Sequence, residues 1–148
     1  MKLLAYIDGS SHGNPGESGY GVVLREQGGT VLEEWGVYLG HATNNVAEYS
    51  ALIGCIEKAA KYQADSLSVY SDSQLLVHQV NGLYRVKKEH LKKLHKKVIE
   101  LLKSVHFGVE IHYINREKNK EADKLARQAV RLRAVLKDGK IYSPGQNG

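Results

Sequence analysis

NVAEYSALIGCIEKAAKYQADSLSVYSD, residues 45–72, is the stretch on which the fold turns. Its first part sets Tyr49, Leu52, Ile53, Ile56 and Ala60 at helical spacing, which predicts a helix over 45–62. Asn45 is the expected N-cap, with Glu48 three residues on. Its second part, 66–71, turns Leu67 and Val69 inward and reads as a short strand ending at Asp72. A helix that carries the chain back into a strand is a crossover, and right-handed crossovers join parallel neighbours. The neighbour is residues 3–8, where Leu3, Ala5 and Ile7 alternate with Leu4, Tyr6 and Asp8.

Working outward, residues 19–25 and 30–39 are rich in Val, Tyr and Leu around the Gly28-Gly29 turn, and with 3–8 they form an antiparallel meander. Beyond Asp72, a brief helix over 73–81 stops at Gly82, and a longer one over 88–105 carries Leu91, Leu94, Val98, Leu101, Leu102 and Val105 on one stripe. A fifth strand is predicted over 109–115. A last helix begins near Lys118 or Asn119 and buries Ala122, Leu125, Ala126, Ala129 and Val130. The expected architecture is α/β: a mixed five-stranded sheet flanked by helices. It occupies one domain, residues 1–133, followed by a flexible or loosely attached tail over 134–148, where Gly139, Pro144, Gly145 and Gly148 concentrate.

The 148 residues suffice for one such domain and leave no room for a second large one. With 42% hydrophobic and 25% charged residues, the chain is neither disordered nor membrane-embedded in composition. Its start is read as mature structure with no cleavable leader, and no apolar run is long enough for a bilayer span. The lone Cys55 can form no internal disulfide, so a reducing, cytoplasmic setting is expected. The net charge of +5 favours a polyanionic partner such as nucleic acid.

Asp8 and Asp72 end the two parallel strands, at the edge where ligands collect in open α/β sheets. Neighbouring strands lie ~5 Å apart, a spacing that suits one bridging cation. Glu48 sits in the first turn of its helix beside the apolar stripe, and Asp123 in the first turn or so of the last helix. Each acid also has a purely structural reading: Glu48 closing a capping box with Asn45, Asp72 or Asp123 complementing a helix dipole. If all four converge, their repulsion calls for positive charge. Oxygen ligands select hard cations, Mg²⁺ or Mn²⁺, and two such ions about 4 Å apart suit phosphoryl transfer. The seven histidines offer no zinc-type spacing.

Neutral amides surround these acids in the sequence: Asn14 after Asp8, Asn44 and Asn45 behind Thr43, and Gln74 two residues past Asp72. Reading a ribose 2′-OH requires groups of this kind, because that hydroxyl both donates and accepts. Asp8-Gly-Ser with Asn14-Pro-Gly, Thr43-Asn-Asn-x-x-Glu48, Ser71-Asp72-Ser-Gln74 and Asn119-x-x-x-Asp123-x-Leu-Ala together resemble type 1 ribonuclease H, over residues 1 to about 130. The resemblance implies a ribonuclease H-like fold and endonucleolytic cleavage of the RNA strand of an RNA–DNA hybrid, leaving 5′-phosphate and 3′-hydroxyl ends. It also implies that Asp8, Glu48, Asp72 and Asp123 are catalytic and bind two Mg²⁺ or Mn²⁺ ions with substrate present. Asn14, Asn44, Asn45 and Gln74 would then contact the RNA strand, and Thr43 a phosphate of the DNA strand. A monomer is expected.

The sequence departs from the best-known bacterial pattern of that family in two ways. The loop before Asp123, Asn115-Arg116-Glu117-Lys118-Asn119, has no histidine. Arg116 can bind phosphate there but cannot shuttle protons near neutral pH. There is also no room for a separate basic protrusion. Lys87, Lys88, Lys92, Lys93, Lys96 and Lys97 are its expected replacement, tracking phosphates, with Tyr84 stacking against a DNA sugar or base. A solvated helix face and a core tyrosine are the structural alternatives. Two rival functions remain at this level: a non-catalytic hybrid- or RNA-binding module, and a related DNA nuclease.

Overall fold

The computed structural model describes residues 1–143. In chain order it contains β1 (Lys2–His12), β2 (Gly16–Glu26), β3 (Val31–Ala42), α1 (Asn44–Ala59), β4 (Ser66–Ser71), α2 (Gln74–Val80), α3 (Glu89–Ser104) and β5 (Gly108–Tyr113). A single 3-10 turn (Arg116–Lys118), α4 (Lys120–Leu132), β6 (Val135–Lys137) and β7 (Lys140–Tyr142) complete it.

The strands form one mixed sheet in the order β5-β4-β1-β2-β3-β6-β7. The central pairing is the expected one: β1 and β4 run parallel, with Ile7 opposite Ser71, so Asp8 and Asp72 follow at the same sheet edge. The sheet has seven strands rather than five. The two extra ones are a three-residue hairpin whose Val135–Lys137 pairs with β3, and at this length alternation carries no readable period. The fading pattern after Arg133 therefore does not mark the end of regular structure, and Ala134 and Leu136 are buried. The part of the predicted tail beyond Ser143 lies outside the described residues.

α1 explains why its sequence is apolar on more than one side. It packs on β1 and β2 on one flank and on α3 on the other, burying Tyr49, Leu52, Ile53, Cys55 and Ile56. Leu3, Ala5, Ile7, Leu67 and Val69 meet it from the sheet, and Tyr49 donates to Gln79 Oε1 at 2.7 Å, which ties α1 to α2. α4 lies across β1, β2 and β3 on the opposite face. It approaches so closely that a Cβ on Gly21 would stand 2.3 Å from the Ala122 carbonyl oxygen. Bare glycine at that position lets the helix seat. No helix among the described residues is long and apolar enough to cross a membrane.

Candidate active site

Local backbone chemistry brings each acid to the edge. Asp8 is two residues beyond Tyr6 on β1 and faces α4, whereas its neighbour Gly9 faces α1. A Cβ on Gly9 would lie 2.6 Å from the Glu48 amide nitrogen, so the first turns of α1 can reach the strand end only over a glycine. The contact is sealed by the Gly9 N–H, which donates to Glu48 Oε1 at 2.9 Å. The predicted capping box is thereby corrected. Thr43, not Asn45, caps α1, accepting from the Val46 amide at 3.2 Å, and Glu48 spends one oxygen on β1 rather than on its own helix.

Asp8, Glu48 and Asp72 each present an oxygen, and the three lie within 4.8 Å of one another. Asp8 and Glu48 are buried, and Glu48 Oε2 has no hydrogen-bond partner. Burial, reinforced by the charges of Glu48 and Asp72 and by contact with Asp123, pushes Asp8 up to about 10. Burial also pushes Glu48 up, with Asp72 adding to the effect, while the Gly9 amide, the Asp8 side chain and the Arg116 charge pull it back. Asp123 faces the same cavity of about 200 Å³ but stands outside the tight trio, its Oδ1 accepting from Arg127 Nε at 3.1 Å. Three of the four predicted acids are thus mutually adjacent, with the fourth beside Asp8.

An orphaned, buried carboxylate oxygen inside an all-oxygen donor set fits a hard divalent cation, which would satisfy the lone pairs and oppose the burial and repulsion that push Asp8 and Glu48 up. Asn119 braces the arrangement. Buried at 1% exposure, it donates from Nδ2 to the Ile7 carbonyl at 2.7 Å and to Asp72 Oδ2 at 3.1 Å.

The amides divide between two places. Asn14 Oδ1 accepts from the Asn44 backbone N–H at 3.0 Å, so Asn14 serves the start of α1, and Asn44 lines the acidic cavity. Asn45 instead lines a neighbouring groove with Tyr84, Lys87, Lys88 and Leu91. Gln74 opens α2 and is exposed outside the acidic cavity, whose lining from this segment is Asp72 and Ser73. Tyr84 is no core residue: it is 50% exposed and packs its ring against His78 at 4.6 Å. Arg116 lines the acidic cavity. Arg127 was not anticipated from sequence, although its position four residues after Asp123 on one helix is the spacing of an ion pair.

A family model described as "Reverse transcriptase-like" matches residues 6–129. The chain is 40% identical over 131 residues to the bifunctional protein Rv2228c of Mycobacterium tuberculosis, an alignment covering 88% of this chain and 36% of that protein. It is 38% identical over 129 residues to ribonuclease HI of Halobacterium salinarum, covering 87% of this chain and 64% of that one. It therefore spans about a third to two thirds of the length of these relatives. Among solved structures, LC11-RNase H1 in complex with an RNA/DNA hybrid superposes with a TM-score of 0.84 at 36% identity, over 88% of this chain and 98% of that one.

Proposed function

The chain belongs to the type 1 ribonuclease H family, and from that premise we propose that it is an endoribonuclease that hydrolyses the RNA strand of RNA–DNA hybrids, leaving 5′-phosphate and 3′-hydroxyl ends. The observation that carries this reading is the trio Asp8, Glu48 and Asp72, packed within 4.8 Å with one buried oxygen left unpaired.

Asp8, Glu48, Asp72 and Asp123 would hold two Mg²⁺ or Mn²⁺ ions when substrate is bound. Bound there, the ions supply activation of the attacking water and neutralisation of the charge on the leaving oxygen. The chain's own groups position the hybrid. Asn14 commits its side-chain oxygen to the Asn44 amide, which leaves its NH₂ to donate to a ribose 2′-OH beside the acids. The Thr43 oxygen accepts from Val46, which leaves the hydroxyl proton to donate to a DNA phosphate at the positive end of α1. Asn44, Asn45 and Gln74 add further amides along the RNA strand. Tyr84, Lys87 and Lys88 line a groove whose aromatic wall and cationic rim suit the DNA strand. Arg116, in the acidic cavity, binds a phosphate next to the scissile one.

The catalytic unit proposed is residues 1–133 together with the β6–β7 hairpin that completes their sheet, acting as a monomer in the cytoplasm. The testing assay compares an RNA–DNA hybrid, duplex DNA and duplex RNA with and without Mg²⁺. Cleavage confined to the RNA strand of the hybrid, dependent on Mg²⁺ and absent in Asp72→Asn, is expected. An intact hybrid after incubation with folded protein and Mg²⁺ refutes the reading, and cleavage of duplex DNA points to the rival nuclease.

A further inference from the structure

α4 covers β1, β2 and β3 on the face that carries Asp8, but the β4–β5 end of that face stays open: Ser68 and Tyr70 are half-buried, and Glu110 and His112 are exposed. On this open end the cross-strand register sets Tyr6 beside Tyr70 and Tyr70 beside His112. Their rings form one continuous pile, with centroids 5.2 Å apart at 21° and 5.4 Å apart at 27°. We infer that this Tyr6–Tyr70–His112 row is a docking ledge for a single-stranded polynucleotide flank running off the cleft, an extension of the hybrid-cleaving reading on which it rests.

The ledge is continuous with the acids. Tyr6 precedes Asp8 by two residues on β1 and so shares its face at a remove of ~7 Å, and Tyr70 lies on β4 two residues before Asp72, which follows the end of that strand. The pile has two ends where a base can be added. β5 is an edge strand, so no further strand covers the outer side of His112. At the other end Tyr6 lines a cavity of about 370 Å³ with Arg25, Lys118 and Lys120 and the acids Glu117 and Glu121. Arg25 is tied to Glu121 at 2.9 Å, but Lys118 and Lys120 make no ion pair among the described residues and are exposed. Rings to extend and two unpaired cations beside them match the alternating bases and phosphates of a single strand. A paired duplex has its base faces already stacked. An apolar protein partner fits less well, because the adjoining row, Leu4, Ser68 and Glu110, is mostly polar.

The test measures KM on a short blunt hybrid and on the same hybrid carrying a single-stranded RNA extension at one end or the other. An extension is expected to lower KM by about tenfold, the effect of one stacked base. His112→Ala, at an exposed edge position, and Tyr70→Ser should cancel most of that gain while leaving the blunt hybrid's KM unchanged. Equal KM values for blunt and extended hybrids in the unmodified protein overturn the ledge, as does a loss shared equally by both substrates in His112→Ala, which would make the row a structural cross-strand cluster. Should no hybrid be cleaved, the parent reading fails separately. The ledge is then judged by fluorescence anisotropy of a labelled single-stranded oligonucleotide, whose affinity must drop in His112→Ala and whose indifference to that change overturns the proposal.

Discussion

Asn119 reaches from the start of the last helix to Asp72, donating across 3.1 Å, and the same NH₂ group holds the Ile7 carbonyl of β1 at 2.7 Å. One amide therefore sets the spacing between the two parallel strands where their acids emerge. Asn119→Ala leaves a buried carbonyl and a carboxylate without their donor. It should cost about 1–3 kcal/mol in chemical denaturation and lower kcat more than it raises KM. Unchanged stability would mean that water replaces the amide.

The raised acids make stability depend on pH in a definite direction. A carboxyl whose folded pKa lies above its unfolded value keeps a proton in the native state that the unfolded chain has lost. Native stability therefore falls as pH climbs from the ordinary carboxylate range through the raised values, about 8 for Glu48 and about 10 for Asp8. In EDTA the melting temperature should decline between pH 5 and pH 9, a window of about four units spanning these shifts. Millimolar Mg²⁺ should flatten that decline, since cation binding replaces the protons. A metal-free profile that rises over the same range would contradict the buried cluster.

Asp8→Asn removes the charge nearest the others without changing shape. Without divalent ions at high pH it should stabilise the fold by ~1–3 kcal/mol, and the gain should shrink as pH falls and vanish near roughly pH 3, where Asp8 is protonated in the folded and the unfolded chain alike. Thermal melts at the two pH values check both halves. Activity should be lost at either pH.

Lys87 and Lys88 are exposed along the groove that also holds Asn45 and Tyr84. Replacing both with alanine should reduce the slope of log affinity for hybrid against log salt by about 2, with the catalytic constant nearly unchanged. An unaltered slope would leave these lysines as solvated surface.

Gly21→Ala introduces a methyl 2.3 Å from the Ala122 carbonyl. Backbone cannot yield as a flexible side chain does, so α4 must lift, at a cost of roughly 1–3 kcal/mol or more. Because Asp123 and Asn119 ride on that helix, activity should fall further than stability alone explains. Hydrogen exchange in residues 119–127 would report the displacement.

The central crossover and the three acids at its edge were legible because they rest on long-period signals: a multi-turn apolar stripe in 45–62 and alternation in 3–8 and 66–71. What escaped is short-range or depends on contacts between distant segments. β6 and β7 are three residues each, too short for alternation to register. The Thr43 cap was missed because Asn45 is an equally good capping residue, and only the position of Gly9, which claims Glu48, decides between them. Arg127 shows a detectable i,i+4 spacing to Asp123, yet an exposed arginine on a helix has no sequence feature that distinguishes a cavity wall from ordinary surface.

The bond between Asn119 and Ile7 joins positions 112 residues apart. A chain emerging from the ribosome presents Asp8, Glu48 and Asp72 early but lacks its closing clasp until the final helix has been synthesised. Order of synthesis thus leaves the two strand ends unbraced until Asn119 has been made and α4 packs across β1.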